Sequence, residues 1–422
     1  MPTNFDNRNF ETGRVIVDLN KNIRYSDSPE YYNNKILDGI DFKKEDVIFR
    51  PNKINNESDI GYILLVYLKD KDKLAVINTV EKLMTNPYVV YAEPDYFYDM
   101  YTIPNDPYFK YLWGVEKIKS PLAWDYTTGN NNIVVGVIDS GIDYNHPDIK
   151  DNMWISQDKR YVNGWDFFNN NSNSMDLSGH GTHVGGTIGA VGNNFIGITG
   201  VCWNVQIASL RIGSVSMSLA AAIAAIDFAN TNKIPILNNS WGGRFYSPSL
   251  KYAIDQYNGL FVVAAGNYGT NNDIIPDYPS SYDSKNIISV AAANQDDDLA
   301  PFSNYGVKSV DIAAPGTDIL SLSLHGEYSY LSGTSMSAPL VSGAAALLKA
   351  FMPELTALNI KNIILYSADK NPNLEGKVLA GGILNIKSMI DTANNLKAKP
   401  NHINQLFRSL LIIKRMFNPY IS

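Results

Sequence analysis

The stretch NIVVGVID, residues 132–139, is an almost unbroken apolar run that ends on a carboxylate. A strand that is apolar at nearly every position is typical of a parallel sheet covered on both faces. Similar runs recur as VQIASLRI, IPILNN, LFVVAAGN and NIISVAAAN, and helix-like segments such as residues 216–232 and 338–353 accompany them. Strands that alternate with helices predict an α/β fold with a doubly wound, mostly parallel sheet flanked by helices.

Polar residues stand where these strands are expected to end. Asp139 closes the first run, Ser240 follows ILNN, and Asn267 closes LFVVAAGN. His180 opens a run of small residues typical of a buried helix, and Ser335 lies in SGTSMSAP, a turn before another helix. Because the carboxyl ends of parallel strands line one crevice, we expect these five side chains to converge there.

Such a set of side chains has a chemistry available to it. A serine hydroxyl becomes a nucleophile when an imidazole takes its proton and a carboxylate fixes the imidazole tautomer, which are roles for Ser335, His180 and Asp139. The helix after Ser335 directs its N-terminal N–H groups at the place where an oxyanion would form. The Asn267 amide could donate a hydrogen bond to the same oxyanion.

His183 follows His180 by three residues in SGHGTH, which raises the alternative of a metal site. Zinc would need further ligands at helical spacing, as in HExxH, and none is nearby in the sequence. We therefore interpret His183 as a structural helix residue and expect no catalytic metal or cofactor.

Five motifs carry a resemblance to a known family. VIDSGIDYNHPD, GHGTHVGGT, NNSWGG, VVAAGN and GTSMSAPLVSG resemble the subtilisin-like serine proteases (subtilases, peptidase family S8), and the thermitase type in particular. The likeness runs over residues 104–389 and keeps the family order of Asp139, His180 and Ser335. It implies a serine endopeptidase that acts on protein or peptide substrates through an acyl-enzyme. A narrow-specificity processing protease and an inactive binding protein with this fold are the alternatives. The residues that the resemblance assigns to substrate binding are Ser240, Trp241, Gly242 and Asp277.

The resemblance to thermitase-like enzymes also implies a structural calcium ion. Calcium favours a mixture of carboxylate, amide and carbonyl oxygens, and the loop AVGNNFIGITG with two aspartates offers one. The alternative is a polar loop with two surface acids. A second, weaker cation near Asp166 and Asn171 stays open because asparagine replaces a carboxylate there. The implied calcium ligands are the side chains of Asp106, Asp148 and Asn194 and the carbonyls of Val191, Ile196 and Ile198.

Substrate preference stays open at the sequence level. Asp277 precedes the Tyr278–Pro279 pair, for which the family implies a cis bond, and would lie near the base of the S1 pocket. A carboxylate there would favour a basic residue at P1, the position whose carbonyl is attacked; the alternative is a solvated loop acid. Leu340 stands where many family members have a non-catalytic histidine.

The first hundred residues read as a separate domain. GRVIVDL, GYILLVYL and YVVYAEPDYFY predict strands, and residues 72–85 carry apolar side chains at helical spacing: Leu74, Ile77, Val80 and Leu83. Ahead of a subtilase domain, such a ferredoxin-like α+β unit resembles an inhibitory propeptide, bound in cis and removed by autoprocessing. A cut near Met100–Tyr101 would place Met100 at P1 and Phe97 at P4, which argues for broad or apolar specificity. We predict domains at residues 1–100 and 101–394 and a tail at 395–422.

Composition narrows the kinds of partner and of covalent or membrane attachment that the protein can have. A net charge of −7 without a basic stripe speaks against a nucleic-acid partner. The single cysteine, Cys202, excludes an internal disulfide, and we expect it to be a buried apolar residue. The sequence contains no run of about 20 apolar residues, so it predicts no transmembrane helix.

No signal peptide is visible in the sequence. The compartment therefore stays open between the cytoplasm and, if an export signal is missing, the outside of the cell. We expect a monomer. The C-terminal tail predicts a short basic amphipathic helix that packs on the main domain or contacts a membrane surface.

Overall fold

The computed structural model describes residues 10–23, 35–51, 60–97 and 102–398, in two compact units that divide between residues 100 and 101. The predicted cut at Met100–Tyr101 and most of the C-terminal tail lie outside the described residues. Helix-length apolar segments that could cross a membrane do not occur in the described ranges.

The N-terminal unit is an antiparallel sheet with one helix described against it. The strands stand in the order β2-β3-β1-β4. In β1 the buried residues alternate with half-exposed ones, and they pack with Val76, Val80 and Leu83 of the helix. Leu74, predicted on the apolar face, is 65% exposed instead. A strict three-residue spacing drifts around a helix of 3.6 residues per turn, so Leu74 lies about 180° around the axis from the buried Leu83. The elements are β1 Phe10–Asn20, β2 Phe42–Phe49, β3 Ile60–Leu68, α1 Lys73–Met84 and β4 Val89–Tyr96.

The C-terminal unit is an α/β domain, as the alternating pattern predicts. Its elements are α2 Trp113–Lys117, α3 Ser120–Trp124, β5 Gly129–Asp139, β6 Gly164–Asp166, α4 His180–Gly189, β7 Asn204–Arg211, α5 Leu219–Thr231, β8 Ile236–Asn239, α6 Pro248–Gln256, β9 Leu260–Ala264, β10 Ile287–Ala293, β11 Ile312–Pro315, β12 Ile319–Leu322, β13 Tyr328–Leu331, α7 Thr334–Phe351, α8 Ala357–Tyr366, β14 Asp369–Lys370, β15 Gly382–Ile383 and α9 Ile386–Ala398. Helix α9 continues past residue 394, the predicted start of the tail.

One sheet organises this unit. In the described residues its strand order is β14-β15-β11-β10-β9-β8-β5-β7-β6, and all neighbours pair in parallel except the short edge pair β14–β15. Strand β5 lies inside the sheet and is buried on both faces: Val135 and Val137 face the core layer that contains α4 and α7, and Ile138 faces the layer that contains α5 and α6. The fully apolar strand pattern follows from this double cover.

Candidate active site

Asp139 and His180 meet at the carboxyl end of β5. The strand ends at Asp139, which is fully buried, and α4 begins at His180, whose Nδ1–H donates to Asp139 Oδ1 at 2.7 Å. Gly181 permits this approach, because a Cβ at that position would lie only 2.1 Å from the carbonyl oxygen of Gly141. With the proton on Nδ1, the Nε2 lone pair of His180 is left to accept another.

The electrostatics of this pair favour the imidazolium form. The negative charge of Asp139 raises the pKa of His180, while burial opposes the rise. Asp139 Oδ1 also accepts the main-chain N–H of Ser140 at 2.7 Å. A carboxylate held in this way orients the imidazole and stabilises the positive charge that it acquires during proton transfer.

Asp176, which the sequence analysis missed, ties the two loops together. Its carboxylate accepts the Ser140 hydroxyl at 2.9 Å, and the Thr182 N–H and hydroxyl at 2.9 and 2.7 Å. The residues after Asp139 are therefore fixed to the first turn of α4. A carboxylate four residues before His180 in MDLSGH was the available signal, but nothing local shows that it points inward.

Ser335 lies in the first turn of α7 and is bonded to Ser240. The Ser335 hydroxyl donates to the carbonyl oxygen of Ser240 at 3.2 Å, and the Ser240 hydroxyl donates to the carbonyl oxygen of Ser335 at 2.9 Å. Pro339, four residues along α7, has no N–H to offer the Ser335 carbonyl, so Ser240 supplies the missing donor. Asn238 donates to Ser240 Oγ at 3.1 Å and accepts from Ser342 at 2.8 Å, which continues this contact into the core.

The Ser335 hydroxyl points to Ser240 rather than to His180. Among the hydrogen bonds of the described residues, none joins Ser335 to His180. Catalytic hydrogen bonds are often loose without substrate and tighten when it binds, and a turn about the Cα–Cβ bond is enough to redirect a serine hydroxyl. The structure thus pairs Asp139 with His180 directly, while the Ser335 hydroxyl is bonded to the Ser240 carbonyl.

Asn267 presents an amide donor beside Ser335. Its Oδ1 accepts the main-chain N–H of Thr334 at 2.9 Å and the Thr334 hydroxyl at 3.0 Å. A main-chain N–H can only donate, so this end of the amide is the oxygen and Nδ2 is free to donate. A Cβ on Gly333 would lie 3.6 Å from Asn267 Nδ2 and 3.7 Å from the main-chain nitrogen of Ser335. Two N–H groups therefore border one small space that the absent side chain leaves open, as an oxyanion site requires.

Asp277 is buried and lies under glycines. It is 3% exposed, so the alternative of a solvated loop acid is wrong. A Cβ on Gly242 would lie 2.7 Å from Asp277 Oδ1, and one on Gly266 would lie 3.3 Å from Asp277 Cγ. Burial raises the pKa of Asp277 to about 6, and the charge of Arg244 opposes the rise. The Tyr278–Pro279 bond is cis, as the resemblance implies.

The residues assigned to calcium lie around one loop. Asp106 is 4% exposed and Asp148 is fully buried, so these are not surface acids. Asp106 accepts the N–H of Asn193 at 2.7 Å, and Asp148 accepts the Asn194 amide and the Ile198 N–H, both at 2.9 Å. Burial raises the pKa of Asp148 to about 6, with a contribution from the charge of Asp106.

This donor set fits a hard cation. Two buried carboxylates share the loop, and no ion pair of the described residues neutralises either one. Val191 lies at the start of the loop, where its N–H donates to the Asp148 carbonyl at 2.8 Å. Asn194 Oδ1 accepts the N–H of Ile196 at 2.7 Å, so the amide presents its nitrogen to Asp148. A calcium ligand would present the oxygen instead, which requires a half-turn of this amide.

The carboxylate of Asp166, near which the sequence suggests a second cation, is already neutralised by an arginine. Asp166 forms an ion pair with Arg211, and both side chains are almost fully buried. Asn171 is occupied with its own turn, where Oδ1 accepts the N–H of Asn173 at 2.8 Å. The arginine supplies the positive charge that a cation would otherwise bring to Asp166.

His183 and Cys202 are structural. His183 is fully buried, its Nε2–H faces the carbonyls of Ile319 and Ser329 at 3.0 and 3.2 Å, and burial lowers its pKa to about 4. Cys202 is fully buried as well, and burial raises the pKa of its thiol. The described ranges hold no cluster of three histidine, cysteine or carboxylate side chains placed for a metal ion.

Comparison with known proteins gives a consistent result. Residues 130–400 match the model of the subtilase family, peptidase S8. A thermophilic serine proteinase from Bacillus sp. (strain AK1) is 38% identical over 297 residues, which are 69% of this chain and 70% of that protein. Thermitase from Thermoactinomyces vulgaris is 37% identical over 273 residues, 63% of this chain and 92% of that protein.

A solved structure agrees with the sequence matches. A protease from Pseudoalteromonas arctica PAMC 21717 superposes with a TM-score of 0.61 at 27% identity, covering 69% of this chain and 99% of that one. The family match covers more than half of the chain and includes the loops that carry Asp139, His180 and Ser335. The chain belongs to the subtilase family and is a subtilisin-like serine endopeptidase.

Proposed function

We propose that the chain is the zymogen of a calcium-stabilised endopeptidase in which Ser335 is the nucleophile, His180 the general base and Asp139 its orienting carboxylate. The observation that carries this proposal is the 2.7 Å hydrogen bond from His180 to Asp139, which places the proton on Nδ1 and leaves Nε2 free. The N-terminus of α7, with Ser335 in its first turn, supplies the second half of the site.

In this mechanism Ser335 Oγ attacks the scissile carbonyl carbon while His180 Nε2 takes the hydroxyl proton. The negative oxygen that forms accepts hydrogen bonds from the Ser335 N–H and from Asn267 Nδ2. His180 then gives its proton to the leaving amine, and an acyl-enzyme ester remains on Ser335. Water enters, His180 takes its proton, and the second tetrahedral species collapses to release the acid and restore the serine.

Fluorophosphonate labelling and intact mass test the nucleophile together. We expect the label on wild-type protein and on the Ser332→Ala variant, which loses an exposed serine three residues away, but not on Ser335→Ala. Wild-type protein incubated with calcium should lose about a hundred N-terminal residues, and Ser335→Ala should stay intact. Unlabelled wild-type protein would instead support a binding protein that keeps the fold, and equal trimming of both proteins would exclude autoprocessing.

We assign residues 1–100 to an inhibitory propeptide. Their organisation as a compact unit separate from the peptidase unit supports this assignment. The new N-terminus of the trimmed protein should begin near Tyr101. A new N-terminus inside β1–β4 would contradict it, because the cut would then fall within a folded unit.

We assign a structural calcium ion to the loop around Asp106 and Asp148. The support is the pair of buried carboxylates, neither of which has a cationic partner among the described residues. When bound, the ion would supply positive charge to both, with Asn194 and the carbonyls of Val191, Ile196 and Ile198 as the further ligands. The ion takes no part in the chemical steps, which need only Ser335 and its partners.

Asp277 favours a basic residue at P1, and with it a narrower processing role. The support is its buried carboxylate under Gly242, with Oδ2 unpaired among the described residues. Met100 at the cut site argues by itself for broad or apolar specificity, but it is compatible with a basic preference because a substrate tethered in cis is cleaved at a high effective concentration. Two peptides that differ only in Lys or Phe at P1 decide between basic and broad specificity. Equal rates, unchanged by Asp277→Asn, would exclude a role for Asp277 at P1.

A further inference from the structure

Two chain segments meet beside Asp277 in a fixed register. Gly243 and Tyr278 exchange both main-chain hydrogen bonds, at 2.8 and 2.7 Å, in an antiparallel bridge. In this register Arg244 lies directly across from Asp277, and directly opposed residues project from the same face. Gly242 lies on that face as well and contributes no side chain to cover the carboxylate. An exposed arginine thus stands opposite a buried carboxylate.

The guanidinium of Arg244 does not pair with that carboxylate. Its Cζ lies 4.6 Å from the centroid of the Tyr268 ring, and the ion pairs of the described residues do not include Arg244 with Asp277. Tyr268 follows Asn267 and is 61% exposed. The guanidinium of Arg244 therefore stacks on the Tyr268 ring and does not bond to the Asp277 carboxylate.

Two groups can attract the guanidinium of Arg244. The face of an aromatic ring attracts a guanidinium, and so does a poorly solvated carboxylate directly across the bridge. A long arginine side chain can reach either one by rotation of its own bonds. In the second position it would occupy the pocket and neutralise the carboxylate before a substrate side chain arrived.

We propose that Tyr268 is a specificity-determining residue that holds Arg244 away from Asp277 and so keeps the pocket open for the lysine or arginine side chain of the substrate. This inference rests on the proposed role of Asp277 at P1. The tyrosine acts through the arginine, so its removal should harm basic substrates selectively and only while Arg244 is present.

The test measures kcat/KM, per active site titrated with a fluorophosphonate, for two peptides that differ only in Lys or Phe at P1. Tyr268→Ala should lower the Lys/Phe ratio by roughly two- to fivefold, the range of an exposed cation–π contact, through a higher KM for the lysine peptide. Tyr268→Phe keeps the ring and should keep the ratio. Tyr252→Ala, which removes a comparably exposed tyrosine from α6, is the matched control.

The decisive variant is the double substitution. Adding Arg244→Gln to Tyr268→Ala should restore the wild-type ratio or exceed it, because no guanidinium remains to fill the pocket. An unchanged ratio in Tyr268→Ala, or a loss that Arg244→Gln does not repair, would overturn the inference. Tyr268→Leu, which keeps apolar bulk without a π face, should behave as Tyr268→Ala does and replaces it if that variant does not fold.

Asp277→Asn separates this inference from the proposal on which it rests. If Asp277→Asn leaves the Lys/Phe ratio unchanged, the carboxylate does not select P1 and the proposed specificity fails. If it lowers the ratio while Tyr268→Ala does not, the specificity stands and the role of Tyr268 is refuted.

Discussion

Ser240 and Ser335 are joined by two reciprocal hydrogen bonds, in which the hydroxyl of each donates to the main-chain carbonyl of the other at 2.9 and 3.2 Å. One of them replaces a helix hydrogen bond that Pro339 cannot make. The other holds the proton that the proposed mechanism moves. This pair therefore anchors the start of α7 to the end of β8 at the reacting atom.

The first prediction follows from that anchor. Ser240→Ala leaves the Ser335 carbonyl without its donor, and an unsatisfied buried acceptor costs about 1–3 kcal/mol. We expect kcat to fall by roughly ten- to a hundredfold, with a smaller change in KM, because the nucleophile loses its placement. Ser240→Thr keeps the hydroxyl and should retain most of the activity. A loss confined to KM would mean that Ser240 only contacts substrate.

The proposed oxyanion donor, Asn267, gives the second prediction. Asn267→Ala removes Nδ2 from the space beside Gly333 and should lower kcat by roughly 10²–10³-fold, the cost of one oxyanion donor. Steady-state kinetics on a peptide substrate measure it, and KM should change little because the donor acts on the transition state. Asn230→Ala, an asparagine on α5, is the control. Equal losses for the two variants would point to general destabilisation.

The third prediction concerns pH. In the proposed mechanism activity needs neutral His180. The charge of Asp139 holds the pKa of His180 above the ordinary 6.5, so the acid limb of kcat/KM should have its midpoint above 6.5. Asp139→Asn should move this limb to lower pH and reduce kcat by about 10⁴-fold. The control Asp158→Asn, at an exposed aspartate, should change neither the acid limb nor kcat. If Asp139→Asn leaves the midpoint of the acid limb unchanged, the limb reports the titration of a group other than His180.

The same shift has a consequence for stability. Because the folded-state pKa of His180 is raised, its charged pair with Asp139 stabilises the fold fully below the unfolded pKa, and this contribution is lost as pH rises through the folded pKa. Thermal unfolding of Ser335→Ala and Ser335→Ala/Asp139→Asn across this range measures it. The gap in Tm between the two should narrow as pH increases.

Calcium removal gives the fourth prediction. A ligand that binds only the folded state at a hundred times its Kd adds about 2.7 kcal/mol, so chelation should lower Tm by several degrees. The measurement belongs in Ser335→Ala protein, which cannot digest itself. Adding Asp148→Asn should lower Tm and remove most of its response to calcium, whereas adding Asp158→Asn should leave the response intact. A full response in the Asp148 variant would place the ion elsewhere.

The parts of the site that strand ends and helix starts define can be predicted from the sequence. Asp139 is recognisable because it ends β5, Asn267 because it follows β9 in the loop at the same edge of the sheet, and Ser335 because a glycine turn precedes its helix. Ser240 was assigned to substrate contact alone, since its hydrogen bond depends on the missing N–H of Pro339 in another element. The contact of Arg244 with Tyr268 was beyond sequence reasoning, because a bridge between distant segments creates it.

The position of β5 inside a parallel sheet also determines when, during synthesis and folding, the site can form. Asp139 and His180 leave the ribosome well before Ser335, by roughly 10–30 seconds at ordinary rates of synthesis. Neither can hydrolyse anything alone, and β5, β8 and β9 must all be in register before their loops meet. A nascent or half-folded chain therefore cannot yet bring Asp139, His180 and Ser335 together, and the site can form only when these strands are paired.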